Sequence, residues 1–452
     1  MYHHLLRQIV FPCMEFVKGT TIQRDLAFLE KSQWWKPGKL RELQDERLRS
    51  LVRHAYSRVP YYRRIFRERG LSDQDIRTAE DLGKLPLLTK EDIRNHAPEL
   101  LAVDYRNHRP FLNTTSGSTG EPLRYYTSLA SISMLWASGF RGWGWAGYRL
   151  GERYMTLGGS SLVPNEMSLQ KRARYLFERN LALTSLNMNE ATVASYTDRI
   201  RKYSPRFIRG YPSAIFSLAH YLREHGGSPI TPVAIFTTAE TLLPPQRSLI
   251  EEVFQSRIFD EYGCRDGGAA AMECGEHAGY HLCPEQSVLE LVQDGERVPD
   301  GSLGEIVSTD LCNYAMPFIR YRTGDTAIGT GERCACGRGL PLFKSIQGRI
   351  INMVRHEDGS VISGLPLTDV FEHIAMKQRD SIRRYQLIQE RQGHLDVRIV
   401  RGKNYLPEYS EQIVLAVKEH MGKNTQVHLD FPDDIPATKT GKQLFVISKV
   451  AR

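Results

Sequence analysis

A chain of 452 residues, at roughly 100 to 200 residues per domain, has room for two to four domains with substantial cores, which excludes a minimal peptide-binding module. Hydrophobic residues make up 41%, charged residues 25% and aromatics 10%, a globular balance far from disordered, collagenous or disulfide-scaffold chains. Sixty Lys plus Arg against 52 Asp plus Glu leave a formal +8 spread through the chain rather than gathered in a basic tail, which suits anionic small molecules about as well as nucleic acid.

Met1 to Val17 has a short apolar stretch broken by Pro12, Cys13 and Glu15, without the long apolar run and cleavage site of a secretory leader. No uncharged apolar run reaches the length of about 18 residues needed to cross a bilayer. Seven cysteines, six of them between Cys264 and Cys336, are too few and too uneven for a secreted disulfide framework. The expectation is a soluble, cytoplasmic protein with no membrane partner.

Leu40, Leu43, Leu48, Leu51, Val52 and Tyr56 recur at helical spacing among Arg, Glu and Gln, so the first hundred residues read as a helical lead-in. Thr89, ahead of Lys90-Glu91-Asp92, reads as a helix N-cap with acids in the first turn. From Phe111 the texture changes. Short apolar runs at 154–157, 207–208, 233–238 and 256–262 alternate with amphipathic stretches at 215–225 and 244–254, which predicts an α/β domain. Beyond about Glu285 the chain becomes strand-rich, with strands expected at 287–292, 304–309 and 312–322 between Asp, Gly and Pro turns. The last hundred residues predict a smaller unit, with helices at 370–376 and 408–421 and half-buried strands at 384–388 and 395–400. The domain boundary falls near Arg349 to Arg355.

The most distinctive stretch is Asn113-Thr114-Thr115-Ser116-Gly117-Ser118-Thr119-Gly120-Glu121-Pro122. Glycines let consecutive N–H groups converge on an anion and the hydroxyls add donors, an arrangement that suits a polyphosphate; a polar surface turn is the plainer reading. No Lys-Ser/Thr follows Gly120, so a Walker-type NTPase is not supported.

Further segments follow in order: Thr238-Ala239-Glu240, Glu261-Tyr262-Gly263-Cys264-Arg265-Asp266-Gly267-Gly268, Tyr321-Arg322-Thr323-Gly324-Asp325, Gly348-Arg349, and Ile435 to Lys442. Their joint order resembles the adenylate-forming superfamily, and Arg209-Gly210-Tyr211-Pro212-Ser213 with the Cys334-Ala-Cys-Gly-Arg338 run resembles its phenylacetate–CoA ligase and capsule-biosynthesis branch. The resemblance covers roughly residue 30 to the C-terminus. It implies a large N-terminal α/β domain with a strand-rich subdomain, residues 1–348, and a small mobile α+β domain, residues 349–452.

The resemblance also implies roles. Thr115, Ser116, Gly117, Ser118, Thr119 and Gly120 would hold the β- and γ-phosphates of ATP. Ala239, Glu240, Glu261, Tyr262 and Gly263 fall in the nucleotide motifs, with Tyr262 stacking on adenine. Asp266 would hold Mg2+, standing where the family usually has Glu, and Arg265 stands where it usually has Thr or Ser. Asp325 would accept from the ribose hydroxyls, and Arg349 would reach the ribose or phosphate from the hinge, where Asn352 replaces the usual Asp or Lys. Lys442 would offset the repulsion between a carboxylate and the α-phosphate and stabilise the charge that develops. Tyr211, Pro212, Ser213, Ala239, Gly263 and Cys264 lie where the family lines its acyl pocket. Trp136, Trp143 and Trp145 are either further walls of that pocket or core.

Two groups of soft ligands, one from Cys274 to His281 and one at Cys334 and Cys336, could join on a structural zinc ion. The three sulfurs would be Cys274, Cys334 and Cys336. The fourth ligand is His281 by preference, because a Gly-x-His recurs there in relatives, with His277 and Cys283 as alternatives. Small buried cysteines and core histidines are the plainer account.

The implied activity is ATP-dependent activation of a small carboxylic acid, aryl or arylacetic, to an acyl-AMP with release of pyrophosphate. The acyl group then passes to coenzyme A, or alternatively to a carrier-protein thiol or an amine. Dispersed Lys and Arg argue against a nucleic-acid partner. A nucleotide binder without turnover is a third reading, and the oligomeric state stays open, with a homodimer as one candidate.

Overall fold

The structure, a computed structural model, describes residues 6–114, 123–164, 168–186, 188–349, 352–378, 380–436, 438 and 444–450. The chain divides into two compact units, Met1–Arg153 with Phe259–Ile346, and Tyr154–Ile258 with Gln347–Arg452.

In the first unit, helix Pro37–Arg58 begins with Pro at its first turn, where the missing N–H costs no intrahelical bond, and it buries Leu40, Leu48, Leu51, Val52 and Ala55. Tyr56, expected in this stripe, is 36% exposed, because Ala55 is the residue that sits two turns beyond Leu48 on the core face. The stripe packs against Tyr62, Phe66, Leu82, Ile93 and Phe318. Helix Lys90–Asn95 is capped as expected: the Asp92 N–H donates to Thr89 Oγ1 at 3.1 Å and the Thr89 N–H donates to Asp92 Oδ2 at 2.9 Å. Just ahead of this cap, the Leu88 N–H donates to the Arg320 carbonyl and the Arg322 N–H to the Leu88 carbonyl, which ties the helical lead-in to the sheet.

That sheet runs, from its edge, Glu296–Arg297, Ser287–Gln293, Leu303–Asp310, Tyr321–Thr330, Leu342–Arg349, Tyr280–Leu282, Ala269–Glu273 and Ile258–Cys264. The strand expected over 312–322 begins only at Tyr321. The Asn313 side-chain amide donates to the Met316 carbonyl and to the distant Tyr126 carbonyl, and the Cys312 N–H donates to Asp310 Oδ1; these bonds accompany the turns and bends of Leu311 to Arg320. A separate antiparallel pair, Phe111–Thr114 with Arg124–Thr127, flanks the hydroxyl- and glycine-rich loop, whose residues 115–122 lie outside the described residues.

In the second unit, strands Ala234–Thr238, Phe207–Gly210, Tyr154–Gly158 and Asn180–Thr184 lie side by side, all parallel. Ile208, Ile215, Leu218, Ile235, Leu249 and Phe254 pack in their core, drawn from the strands and from helices Pro212–His225 and Pro244–Phe254. Strand Asn180–Thr184 is a further strand beyond the apolar runs expected from the sequence. The C-terminal part has a sheet in the order Gln426–Asp430, His394–Arg401, Ile382–Gln389, Val446–Ser448, with helices Asp369–Lys377 and Pro407–Met421. Phe371, Leu387, Val397, Ile413 and Val417 form its core, so both expected helices and both expected strands of the tail are present. No helix among the described residues is long and apolar enough to cross a membrane.

Candidate functional site

Three of the parallel strands of the second unit end at conspicuous residues, and ligands of open parallel sheets gather beyond such carboxyl ends. Gly210 closes strand Phe207–Gly210, and a Cβ there would run into the Leu157 carbonyl oxygen, so only glycine fits. Tyr211 follows as the N-cap of helix Pro212–His225; it is wholly buried, with its Oη 2.5 Å from Ser161 Oγ, beyond the end of strand Tyr154–Gly158. Burial pushes the Tyr211 phenol above its ordinary value, opposed by the Ser161 bond. Beyond strand Ala234–Thr238, Ala239 adopts φ 71°, a left-handed conformation uncommon for a residue with a Cβ. Its neighbour Glu240 accepts the Ser213 N–H at 3.1 Å, so a carboxylate occupies the first turn of helix Pro212–His225.

In the first unit, strands Ile258–Cys264 and Ala269–Glu273 pair from Glu261↔Met272 to Cys264↔Ala269, leaving Arg265 to Gly268 as a tight connection. Gly268 has φ 63°, and a Cβ there would collide with the Asp310 carboxyl group. Alternation along the strand sends Glu261 and Tyr262 to opposite faces. Glu261 accepts from Trp143 Nε1, while Tyr262 Oη donates to Asp325 Oδ2 at 3.0 Å. Burial, and then the Asp325 charge, push the Tyr262 phenol well above its ordinary value, so it remains a donor. Asp266 is held by two neutral donors: Tyr321 Oη to Oδ2 at 2.6 Å and Cys264 Sγ to Oδ1 at 3.0 Å. Burial and the Asp266 charge raise the Cys264 thiol well above its ordinary value, which leaves it unreactive as a nucleophile.

A third grouping lies in the first unit. Cys274, His281, Cys334 and Cys336 each place a donor atom within 4.8 Å of the others. Cys274 Sγ lies 3.6 Å from Cys334 Sγ, and Cys336 Sγ 3.4 Å from His281 Nε2. Burial, then Arg338 and Arg141, lower His281 to about 4, so its imidazole is neutral at pH 7. Burial pushes the Cys274 thiol up to about 12. Three sulfurs and one imidazole match the chemistry of a closed tetrahedral zinc site. The two alternative fourth ligands turn elsewhere: His277 Nδ1 faces Glu273 Oε2 at 3.4 Å, and Cys283 Sγ accepts from Arg141 Nη2 at 2.9 Å. Around the cluster, Arg338 stacks between Trp34 and Trp145 and donates to Gln33 Oε1 at 3.0 Å, while Trp145 meets the His281 ring edge-on.

The C-terminal residues 354–449 match the family described as the CapK C-terminal domain. Over 426 residues, covering 90% of this chain and 93% of the relative, the sequence is 30% identical to a phenylacetate-coenzyme A ligase of Pseudomonas putida. The chain belongs to the phenylacetate-coenzyme A ligase family. The ligase of that name from Thermus thermophilus is 28% identical, covering 89% of this chain and 95% of the relative, and Protein CapK of Staphylococcus aureus is 23% identical over 90% and 89%. Among solved structures, 2-hydroxyisobutyryl-CoA ligase in the postadenylation state with R3-HIB-AMP has a TM-score of 0.74 at 19% identity, covering 93% of this chain and 91% of that one. The phenylacetate-coenzyme A ligase family thus accounts for the mixed α/β architecture with its C-terminal domain.

For this ligase family member, the described part of the expected site divides between the units. Glu261, Tyr262, Gly263, Cys264, Asp266 and Asp325 lie together in the first, and Tyr211, Pro212, Ser213, Ala239 and Glu240 in the second. Arg349 ends strand Leu342–Arg349 and is partly buried. Thr115 to Gly120 and Lys442 lie outside the described residues. Trp143 is buried against Phe140 and Tyr148 and Trp145 beside His281, so both are packing residues of helix Leu129–Trp145. Sequence reasoning assigned no role to Tyr321 or Ser161, whose hydroxyls meet Asp266 and Tyr211. Tyr321 opens the Tyr-Arg-Thr-Gly-Asp motif, a signal that was available; Ser161 lies in an unremarkable turn.

Proposed function

We propose that the protein is an AMP-forming acid–coenzyme A ligase acting on an aryl or arylacetic acid. The observation that carries this reading is the match to a phenylacetate-coenzyme A ligase across nine-tenths of both chains. In the first step a substrate carboxylate oxygen attacks the α-phosphorus of ATP, forming the acyl-AMP as pyrophosphate leaves. In the second the coenzyme A sulfur attacks the acyl carbon, the thiol proton goes to solvent or a base, and AMP leaves.

Asp325, fixed by Tyr262, is assigned to the ribose hydroxyls, the Tyr262 ring to adenine, and Thr115 to Gly120 to the β- and γ-phosphates. Lys442 neutralises the two anions as they meet, and Arg349 contacts the ribose or phosphate. Asp266 fits the magnesium role: two donors use only half of its roughly four lone-pair positions. Bound Mg2+ would offset the charge of the phosphate oxygens. Tyr211, Pro212, Ser213 and Cys264 are assigned to the acyl end. We assign zinc to Cys274, His281, Cys334 and Cys336, where four protein ligands leave no open position and the role is structural. The boundary at residues 348/349 is retained for the mobile C-terminal domain; the start of the C-terminal family match at residue 354 supports it.

The test is pyrophosphate release with ATP across a panel of aromatic, aliphatic and amino acids, followed by mass spectrometry with coenzyme A. An aromatic acid should release pyrophosphate and yield its thioester. Absence of acid-dependent pyrophosphate would refute the reading, and acyl-AMP that accumulates without thioester would move the acceptor to a carrier protein or an amine.

A further inference from the structure

Away from the nucleotide motifs and the cysteine cluster, His54, Asp104 and His108 each bring a donor atom within 4.8 Å of the other two. They come from different elements: His54 from helix Pro37–Arg58, Asp104 and His108 from the N-cap and last residue of the short helical turn Tyr105–His108. His108 Nε2 and Asp104 Oδ1 are 3.9 Å apart, too far for a hydrogen bond, and both atoms are buried with no hydrogen-bond partner. Two such atoms left facing each other are costly unless something lies between them. Metal bonds of about 2.0 to 2.2 Å to nitrogen and oxygen span a gap of this size with small side-chain adjustments. His54 Nε2 lies 2.9 Å from the Tyr314 carbonyl, which only accepts; the ring proton therefore sits on Nε2 and leaves Nδ1 with its lone pair. That is the outer hydrogen bond that ligating histidines characteristically make.

Among the described residues, the other histidine–acid pairs of the first unit's surface, such as His96 with Glu99, gain no third ligand from another element. We infer that His54, Asp104 and His108 form a second metal site, distinct from the cysteine cluster, for a borderline divalent first-row cation of the zinc type. Two imidazoles and one carboxylate are the donor set such ions prefer, and the carboxylate offsets the nearby Arg58 charge. The side chains of Asp104 and His108 are 31% and 28% exposed although their facing atoms are buried, so the same small side-chain adjustment that seats an ion also opens the site to it and to water that completes the coordination. The bound ion would clamp helix Pro37–Arg58 to the turn that leads into strand Phe111–Thr114, directly ahead in sequence of Thr115 to Gly120.

The experiment uses full-length protein stripped with a chelator and titrated with Co2+. Thiolate ligands give sulfur-to-cobalt charge-transfer absorption in the near ultraviolet, and imidazole–carboxylate ligands do not. The wild type should bind one equivalent without that absorption. Asp104→Asn and His108→Gln should each weaken this equivalent at least tenfold while any thiolate band is unchanged, and Cys334→Ser should leave it in place. Both substituted side chains are partly exposed and Asp104→Asn is isosteric, so a thermal transition near wild type is expected and checks folding. Wild-type binding of this equivalent in both variants, or no such equivalent in the wild type, would overturn the inference.

Discussion

Removing one hydroxyl separates the two tasks assigned to Tyr262. Tyr262→Phe keeps the ring for adenine and deletes the 3.0 Å bond to Asp325 Oδ2. A hydrogen bond to a charged group contributes about 1.5 to 3 kcal/mol. Asp325 is only partly buried, so water recovers part of that, and a loss of about 1 to 2 kcal/mol remains. If the bond serves to aim the carboxylate at the ribose, the loss reaches ATP binding as a drop of about 5- to 30-fold in affinity, since 1.4 kcal/mol is a factor of ten. The Tyr262 phenol is held well above its ordinary value and stays a donor through the working range, so the drop should be the same at pH 6.5 and pH 8.5. Calorimetric titration with ATP, beside a thermal melt of each protein, reads it directly. Wild-type ATP affinity in Tyr262→Phe, with the fold intact, would refute the claim that this bond orients Asp325 for nucleotide.

Lys442→Ala should lower acyl-AMP formation by about 10²- to 10³-fold, the scale for losing one group that stabilises developing charge, with ATP binding and the thermal transition retained; pyrophosphate exchange checks it. Cys334→Ser should remove one zinc per chain in elemental analysis and lower the melting temperature, and a wild type purified free of zinc would count against the cluster as a metal site. Alkaline stability should fall in a definite window. Burial raises Tyr61 to about 12 and lifts Tyr62, Tyr125 and Tyr321 further. A raised folded-state value means the unfolded chain loses its protons first, so this contribution is whole below about pH 10 and is lost progressively above it. Denaturant midpoints measured from pH 8 to 11.5 should decline only above 10.

Much of the tail was legible because its periods are clean. Helix Pro407–Met421 and strand His394–Arg401 each bury one regular face, and their limits fall within two residues of expectation. The Thr89 cap was legible for the same reason, since its chemistry is local. Strand-like texture misled over 312–322, where the Asn313 side-chain amide bonds accompany turns and bends instead of a ladder. Of the site, the cysteine cluster was legible down to its sulfurs, and geometry separates His281 from His277 and Cys283. Neither the left-handed backbone of Ala239 nor the bond from Tyr321 to Asp266 could be read from letters, because both depend on neighbours distant in sequence or on a conformation that alanine does not advertise.

The bond from Ser213 to Glu240 also governs what can approach that end of the second unit. A fourteen-residue helix presents a partial positive pole at its start, a natural landing place for phosphate or for a substrate acid. Here the chain's own side chain has already taken the berth. Under the proposed assignment of Tyr211, Pro212 and Ser213 to the acyl end, an incoming anion would be met by repulsion here, so a guest would present its uncharged end to this spot and turn its acidic head toward some other host.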